Sequence, residues 1–215
     1  MSLTLHYHPL SSFCQKVLIA LYEANVPFTP NVVDLMDEAQ SAALRKLWPM
    51  RKFPVLSDGA RVIAESTTII EYLALHHGAG ALCPGEPQQA VQVRAQDRFC
   101  DWHLELPMQK IVTDRLRPPG AQDAYGVEQA RAQLRTAYGV LDAQFAAAGS
   151  AARWIAGEQF SMADCAAVPG LFYGNLVEPF AAFTQLGAYY ARLAARPSVV
   201  RVQAEAQPYL ANVPK

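Results

Sequence analysis

The chain has 215 residues, above the commonest single-domain size of about 100 to 150 and short for three domains, so one or two compact units are expected. A composition 52% hydrophobic and 17% charged excludes a disordered polymer, and a net charge of −1 without a dense run of Lys or Arg excludes a reader of nucleic-acid phosphates. No segment approaches the roughly 20 apolar residues of a membrane span, and the first ten residues lack a basic start followed by an apolar run, so a soluble, unexported, cytoplasmic protein is expected.

Leu3, Leu5 and Tyr7 alternate with Thr4, His6 and His8 at the period of a half-buried strand, which Pro9 ends. After Ser11 and Ser12, the residues Cys14, Val17, Leu18 and Leu21 recur at helical spacing, predicting an amphipathic helix that stops by Pro27. Residues 28–33 read as a second strand. Residues 38–47 read as a short helix that ends before Trp48-Pro49, because the residue before proline avoids helical dihedrals. Residues 53–56 and 61–64 flank Ser57-Asp58-Gly59, and the Asp-Gly pair predicts a hairpin. A helix over 66–77 follows, with Ile69, Ile70 and Leu73 inward. The order is βαβαββα over residues 1–80, and residues 82–87 read as a linker.

Residues 87–215 read as all-helical. One long helix is expected over 88–115, kinked or split by Pro107. A second carries Val127, Leu134, Tyr138, Leu141 and Phe145 to Gly149. A third, over 162–173, is apolar nearly all round and should be buried on every side. Ser161 and Asp164 have the spacing of a capping box at its start. Shorter helices are expected over 185–195 and 198–207.

Cys14, Cys83, Cys100 and Cys165 are far apart and form no zinc-type pattern, so free thiols are expected. His6 and His8 share a strand face but lack a third ligand nearby, so no metal site is expected. The most informative segment is Ser11-Ser12-Phe13-Cys14, at the junction of strand and helix, where free amides and the helix dipole favour anions. A hydroxyl donating to a thiolate there adds about 1.5 to 3 kcal/mol. Taken alone, such a serine reads as a helix cap. No Gly-x-Ser-x-Gly elbow supports a serine hydrolase.

That turn, its continuation Gln15-Lys16-Val17-Leu18-Ile19-Ala20-Leu21, the run Lys52-Phe53-Pro54-Val55-Leu56, the pair Glu65-Ser66 and Arg196-Pro197-Ser198-Val199 together resemble the cytosolic glutathione transferases in order and spacing. The resemblance implies a thioredoxin-like α/β domain and an all-α helical-bundle domain. It implies a homodimer, with glutathione as co-substrate, a small hydrophobic electrophile as second partner, and no permanently bound cofactor. It implies further that Pro54 is cis, that the Phe53 main chain pairs with the cysteinyl part of glutathione, and that Ser66 and Glu65 meet the carboxylate and ammonium of its γ-glutamyl end. Lys52 would meet the glycyl carboxylate. Ser11 matches the catalytic serine of the serine-type classes, and Tyr7 resembles the strand-end tyrosine of the tyrosine-type classes.

Cys14 stands at the second cysteine of the glutaredoxin motif with Ser11 at the first, and its spacing with Val17, Leu18 and Leu21 predicts packing instead of redox chemistry. The turn departs from the Ser-Ser-Cys of the maleylacetoacetate isomerases at Phe13. Phe13, Phe99, Trp102, His103, Gln109 and Arg115 are candidates for the electrophile pocket. A non-catalytic binding or regulatory protein and a glutathione-dependent thiol oxidoreductase or isomerase are the competing readings.

Overall fold

The computed structural model describes residues 3–149 and 152–212. The expected domain limits at residues 1 and 215 lie outside them. A four-stranded mixed sheet carries the first half, in the order β2-β1-β3-β4. Its strands are β1 (Leu3–Tyr7), β2 (Thr29–Val32), β3 (Val55–Asp58) and β4 (Arg61–Ala64). Strands β1 and β2 run parallel with Thr4 opposite Thr29. Strands β1 and β3 run antiparallel with Leu5 opposite Leu56, and β3 and β4 form the Asp-Gly hairpin. The alternation read in β1 is realised, with Leu3, Leu5 and Tyr7 buried. Strand β2 is exposed throughout and holds Pro30, which an edge strand tolerates because its missing N–H leaves no ladder bond unmade.

Helices α1 (Ser12–Glu23), α2 (Glu38–Leu47) and α3 (Ser66–His76) complete the expected βαβαββα order of a thioredoxin-like domain. Helix α1 differs from the amphipathic expectation. It is buried almost all round from Ser12 to Leu21, Gln15 and Lys16 included, because a helix of the second half packs against the face that a lone domain would leave wet.

The helical half begins with α4 (Pro87–Phe99), which passes through a widened π-type turn, Cys100–Glu105, into α5 (Leu106–Asp114). Pro107 lies just beyond that turn. Having no N–H to give, it leaves a carbonyl unmatched one turn back, and the axis accommodates it by widening instead of breaking. Then follow α6 (Ala124–Ala148), α7 (Met162–Val177), α8 (Thr184–Ala194) and α9 (Pro197–Ala206), closed by a 3-10 turn, Gln207–Asn212.

Helix α7 is buried nearly all round, as its composition demands, and runs four residues beyond the expected end. Gly174 does not stop it: a side chain there would meet the Tyr138 hydroxyl, with Cβ only 2.5 Å from its oxygen, so glycine is a packing requirement and not a terminator. The stop comes at Glu178, whose successor Pro179 forbids helical dihedrals. One continuous core joins α7 to α1, α3 and the sheet.

Candidate functional site

The chain leaves β1 through Pro9 and turns into α1, closing the turn with Ser11 N–H donating to the His8 carbonyl at 3.0 Å. Ser11 is the N-cap, extended at φ −72° and ψ 121°, and its Oγ accepts the Cys14 amide at 3.3 Å. The Ser11 hydroxyl also bonds to the Cys14 thiol, a weak sulfur acceptor, and pulls against the effect of burial on it. The turn is held from the helical half. Tyr173 of α7 donates its hydroxyl to the Leu10 carbonyl at 2.9 Å, while Gln15 Nε2 donates to the Pro9 carbonyl at 2.9 Å and to the Tyr173 oxygen at 3.1 Å. Cys14 is fully buried, and burial pushes its thiol up to about 12, the opposite of what a reactive thiolate needs. Tyr7 points into the core, and burial, with Glu205 adding to it, raises its phenol.

A second segment precedes β3. The Phe53-Pro54 bond is cis, and the Phe53 N–H and C=O engage no partner among the described residues. Lys52 beside it is exposed. A third segment opens α3. Glu65 sits at φ 68° and ψ 122°, a left-handed backbone that costs a side-chain-bearing residue about 1 to 3 kcal/mol. Its side chain caps nothing, so the amides of Ser66, Thr67 and Thr68 stay unpaired in the described structure. This contrasts with the starts of α2, α4 and α6, where Asp37, Glu86 and Asp123 fill that role. An unfilled helix start is a place for an anion.

Lys16 of α1 ties the first and third of these segments together, and no motif announces it. Its side chain is 1% exposed, and its ammonium pairs with the Asp97 carboxylate at 2.7 Å and donates to Asp101 at 3.0 Å and to Thr67 Oγ1 at 2.9 Å. Arg98 closes the cluster from the wet side through both aspartates. The start of α3 is therefore fixed against α1 and α4 by groups far apart in sequence. Nearby, Glu105 of the widened turn is fully buried beside Ser12, and burial pushes its carboxyl up to about 8 against the pull of the Ser12 hydroxyl and, beyond a contribution from Asp101, of Lys16. It is protonated at neutral pH.

A cleft of about 460 Å³ opens where the Ser11 turn, the Phe53 loop, α5 and α7 meet. Its walls are apolar: Leu10, Phe53, Met108, Val112, Leu116 and Tyr173. Its polar groups are His8, Ser11, Ser12, Gln109 and Thr113. Of the sequence candidates for this pocket, Gln109 lines it. Phe13, Phe99, Trp102, His103 and Arg115 stand outside the lining, and Trp102 and His103 face a separate hollow with Tyr125 on α6. Phe13 stands on α1, and for Trp102 and His103, which lie within the widened turn, that turn is the reason. One extra residue per turn rotates the helix face by about 100°, so a stripe drawn through Phe99 and His103 at regular spacing leaves the cleft side. The spacing of four from Met108 to Val112 to Leu116 was the available signal. Tyr7, Lys52, Glu65 and Ser66 are not in the lining either.

His6 is occupied within the sheet, its ring bonded to Ser57 at 3.0 Å and Asn31 at 2.7 Å. Among the described residues no helix is long and apolar enough to cross a membrane.

Residues 5–81 match the family profile described as "Glutathione S-transferase, N-terminal domain", and residues 99–197 match "Glutathione S-transferase, C-terminal domain". A glutathione S-transferase of Pseudomonas putida is 27% identical over 162 residues, covering 75% of this chain and 70% of that protein. FtsZ-localized protein A of Caulobacter vibrioides is 25% identical over 221 residues, covering 97% and 93%. Among solved structures, poplar glutathione transferase F1 superposes with a TM-score of 0.83 at 19% identity over 97% of this chain and 99% of that one, a likeness of fold.

Proposed function

The chain belongs to the glutathione S-transferase family through both its halves, and on that premise we propose that it is an enzyme that holds glutathione as thiolate and joins it to a hydrophobic electrophile. The observation that carries the reading is that Ser11 and Phe53 share one apolar cleft, the serine at the start of α1 with only the Cys14 thiol, a weak acceptor, to compete for its hydroxyl hydrogen, and Phe53 with a main chain unpaired among the described residues. The Phe53 N–H and C=O pair with the cysteinyl backbone of glutathione, which aims its sulfur at Ser11. The unpaired amides of α3 and the Ser66 hydroxyl receive the γ-glutamyl carboxylate, Glu65 faces the ammonium and Lys52 the glycyl carboxylate.

Ser11 then does the chemical work of this chain. Its hydrogen bond and the amides of the first turn of α1 favour the anionic sulfur, lowering the thiol below its ordinary value of about 8.5. Bound beside the cleft, the thiolate attacks an electrophilic carbon held against Met108, Val112 and Leu116, so proximity supplies much of the rate. Tyr7 is the alternative activator, though it lies in the core and not on the cleft wall. We place the boundary of the two domains between residues 80 and 87, the protein in the reducing cytoplasm, and the working unit as a homodimer, which light scattering at micromolar concentration tests.

A binding or regulatory role on the same scaffold is favoured by one observation: a relative matching 97% of the chain bears a name that states a location and not an activity. A thiol oxidoreductase acting through Cys14 is opposed by the burial of that thiol. Calorimetric titration with glutathione at neutral pH, in buffers of different ionisation enthalpy, separates these readings. The transferase reading expects binding with release of close to one proton per site, and a Ser11→Ala variant that binds within about threefold but releases far less. Release unchanged in Ser11→Ala transfers the role to Tyr7. Binding without release favours the regulatory reading, and no binding at millimolar glutathione removes all readings that require it.

A further inference from the structure

The cleft has a second directed polar group besides Ser11. His8 lies on its wall, three residues earlier on the same turn. Its Nδ1 accepts the Leu10 backbone amide at 3.2 Å. A backbone N–H can only donate, so Nδ1 carries no hydrogen and the ring proton sits on Nε2. That N–H has no hydrogen-bond partner among the described residues. The ring stands between two aromatic side chains. Phe53 lies nearly parallel to it, at 20° with centroids 6.1 Å apart, and Tyr209 meets it edge-on at 5.2 Å. Burial holds the imidazole below its ordinary pKa, with Asp34 pulling the other way, so the ring enters the cleft neutral and as a donor.

The other polar groups of the wall are already committed. Tyr173 gives its hydrogen to the Leu10 carbonyl, and Thr113 gives its own to the Gln109 carbonyl at 2.7 Å. Ser12 is 5% exposed, and Ser11 is assigned to sulfur. The Gln109 amide remains, on a side chain with three rotatable bonds. Among the described residues of the wall, His8 is a ring-held donor with no partner. No Lys, Arg, Asp or Glu lines the cleft among the described residues, so a charged second substrate would lose its hydration there without a counter-ion.

We propose that His8 Nε2–H is a substrate-contacting donor that selects uncharged electrophiles whose reacting carbon is conjugated to a carbonyl group. The inference rests on the transferase reading and names its substrate class. The sulfur lone pair forms a bond to the β-carbon of the enone, and the C=C electron pair shifts so that the negative charge comes to the carbonyl oxygen. His8 donates to that oxygen as the charge develops. The enolate then takes a proton from water at its α-carbon, replacing the one the thiol released, and no oxidant or reductant is needed. A donor in place before charge appears costs no reorganisation, which is why a single such group is worth a large factor in rate.

The test compares a conjugated enone, benzylideneacetone, with a halide that has no carbonyl, benzyl chloride, both at saturating glutathione. His8→Phe keeps a ring between Phe53 and Tyr209 but removes the N–H. The proposal expects its enone-to-halide ratio of kcat to fall by about 30-fold or more, with the loss in kcat and not in KM, while bound glutathione keeps its thiolate absorbance. His8→Gln, whose amide can donate in the same direction, should regain about tenfold of that ratio. A ratio unchanged in His8→Phe, a wild type that turns over the halide but not the enone, or a glutamine as poor as phenylalanine overturns the role of His8 alone. A wild type with neither thiolate absorbance nor turnover of either compound overturns the transferase reading, and this inference with it.

Discussion

Among the described residues two helices, α1 and α7, have a serine at the N-cap, and the two beginnings are built to opposite ends. At the start of α7, Ser161 is buried, and the Asp164 carboxylate takes four donors: the Ser161 amide at 2.9 Å and hydroxyl at 3.1 Å, the Ile155 amide at 3.0 Å and the Tyr189 hydroxyl at 2.7 Å. At the start of α1, Ser11 is half-buried, accepts one amide at 3.3 Å and has the Cys14 thiol, a weak acceptor, for its hydrogen beside an apolar cleft. Both serines read as caps in the sequence, and both are caps. What separates them is saturation. A helix start whose donors are all matched inside the protein stabilises the fold, whereas one left short of partners beside a cavity is available to a ligand, and stability should respond to substitution at the first far more than at the second.

The largest effect should come from breaking the closed end. Asp164→Ala strands two backbone amides and the Tyr189 hydroxyl in the core, and should cost about 3 kcal/mol or more in equilibrium urea unfolding. A loss below about 1 kcal/mol would mean that α7 is held by packing alone. Next comes the floor of the open end. Glu105 has its folded pKa raised from 4.5 to about 8, so the folded state holds a proton that the unfolded state gives up. Stability should therefore be fullest below pH 4.5 as far as this group is concerned and fall, by up to about 1.4 kcal/mol per pH unit, until pH passes about 8. Glu105→Gln should flatten that slope, and an identical slope in the variant would show the carboxyl to be ionised in the fold.

Smaller is the contribution of the clamp on the turn. Tyr173→Phe removes the bonds to Leu10 and Gln15 and should cost about 1 kcal/mol, read in the same unfolding experiment. Smallest is Ser11→Ala, at about 0.5 kcal/mol, because it removes one long cap bond in a half-wet setting. A larger loss at Ser11 than at Asp164 would invert the comparison.

Much of the fold was legible because local pattern and tertiary need agree. The alternation in β1, the Asp-Gly hairpin and the all-apolar α7 each carry their environment in their own residues. Legibility failed where the environment is supplied from a distance. Lys16 reads as an exposed helix residue until Asp97 and Asp101, on a helix of the other half, bury it. The four residues that α7 adds beyond Tyr173 are not legible either, because the need for Gly174 comes from the Tyr138 hydroxyl packed against it. The cleft wall lies on α5, and its position is not legible because a widened turn, which no periodicity announces, changes which side chains face inward from Cys100 onward. The Ser11, Phe53 and Glu65-Ser66 segments were singled out through their motifs. The unpaired or weakly paired hydrogen-bonding groups that give them a chemical meaning appear only in three dimensions.

The most direct test of the open-end account is the ultraviolet thiolate absorbance of bound glutathione, titrated with pH in the wild type and in Ser11→Ala, with the folded fraction of each sample measured alongside. The account predicts a thiolate titrating well below the free thiol's value of about 8.5 in the wild type, a shift of one to two units or more toward that value in Ser11→Ala, and two equally folded proteins. A thiolate unchanged by the substitution, or lost only in step with the folded fraction, would show that Ser11 is a second structural cap and contradict the account.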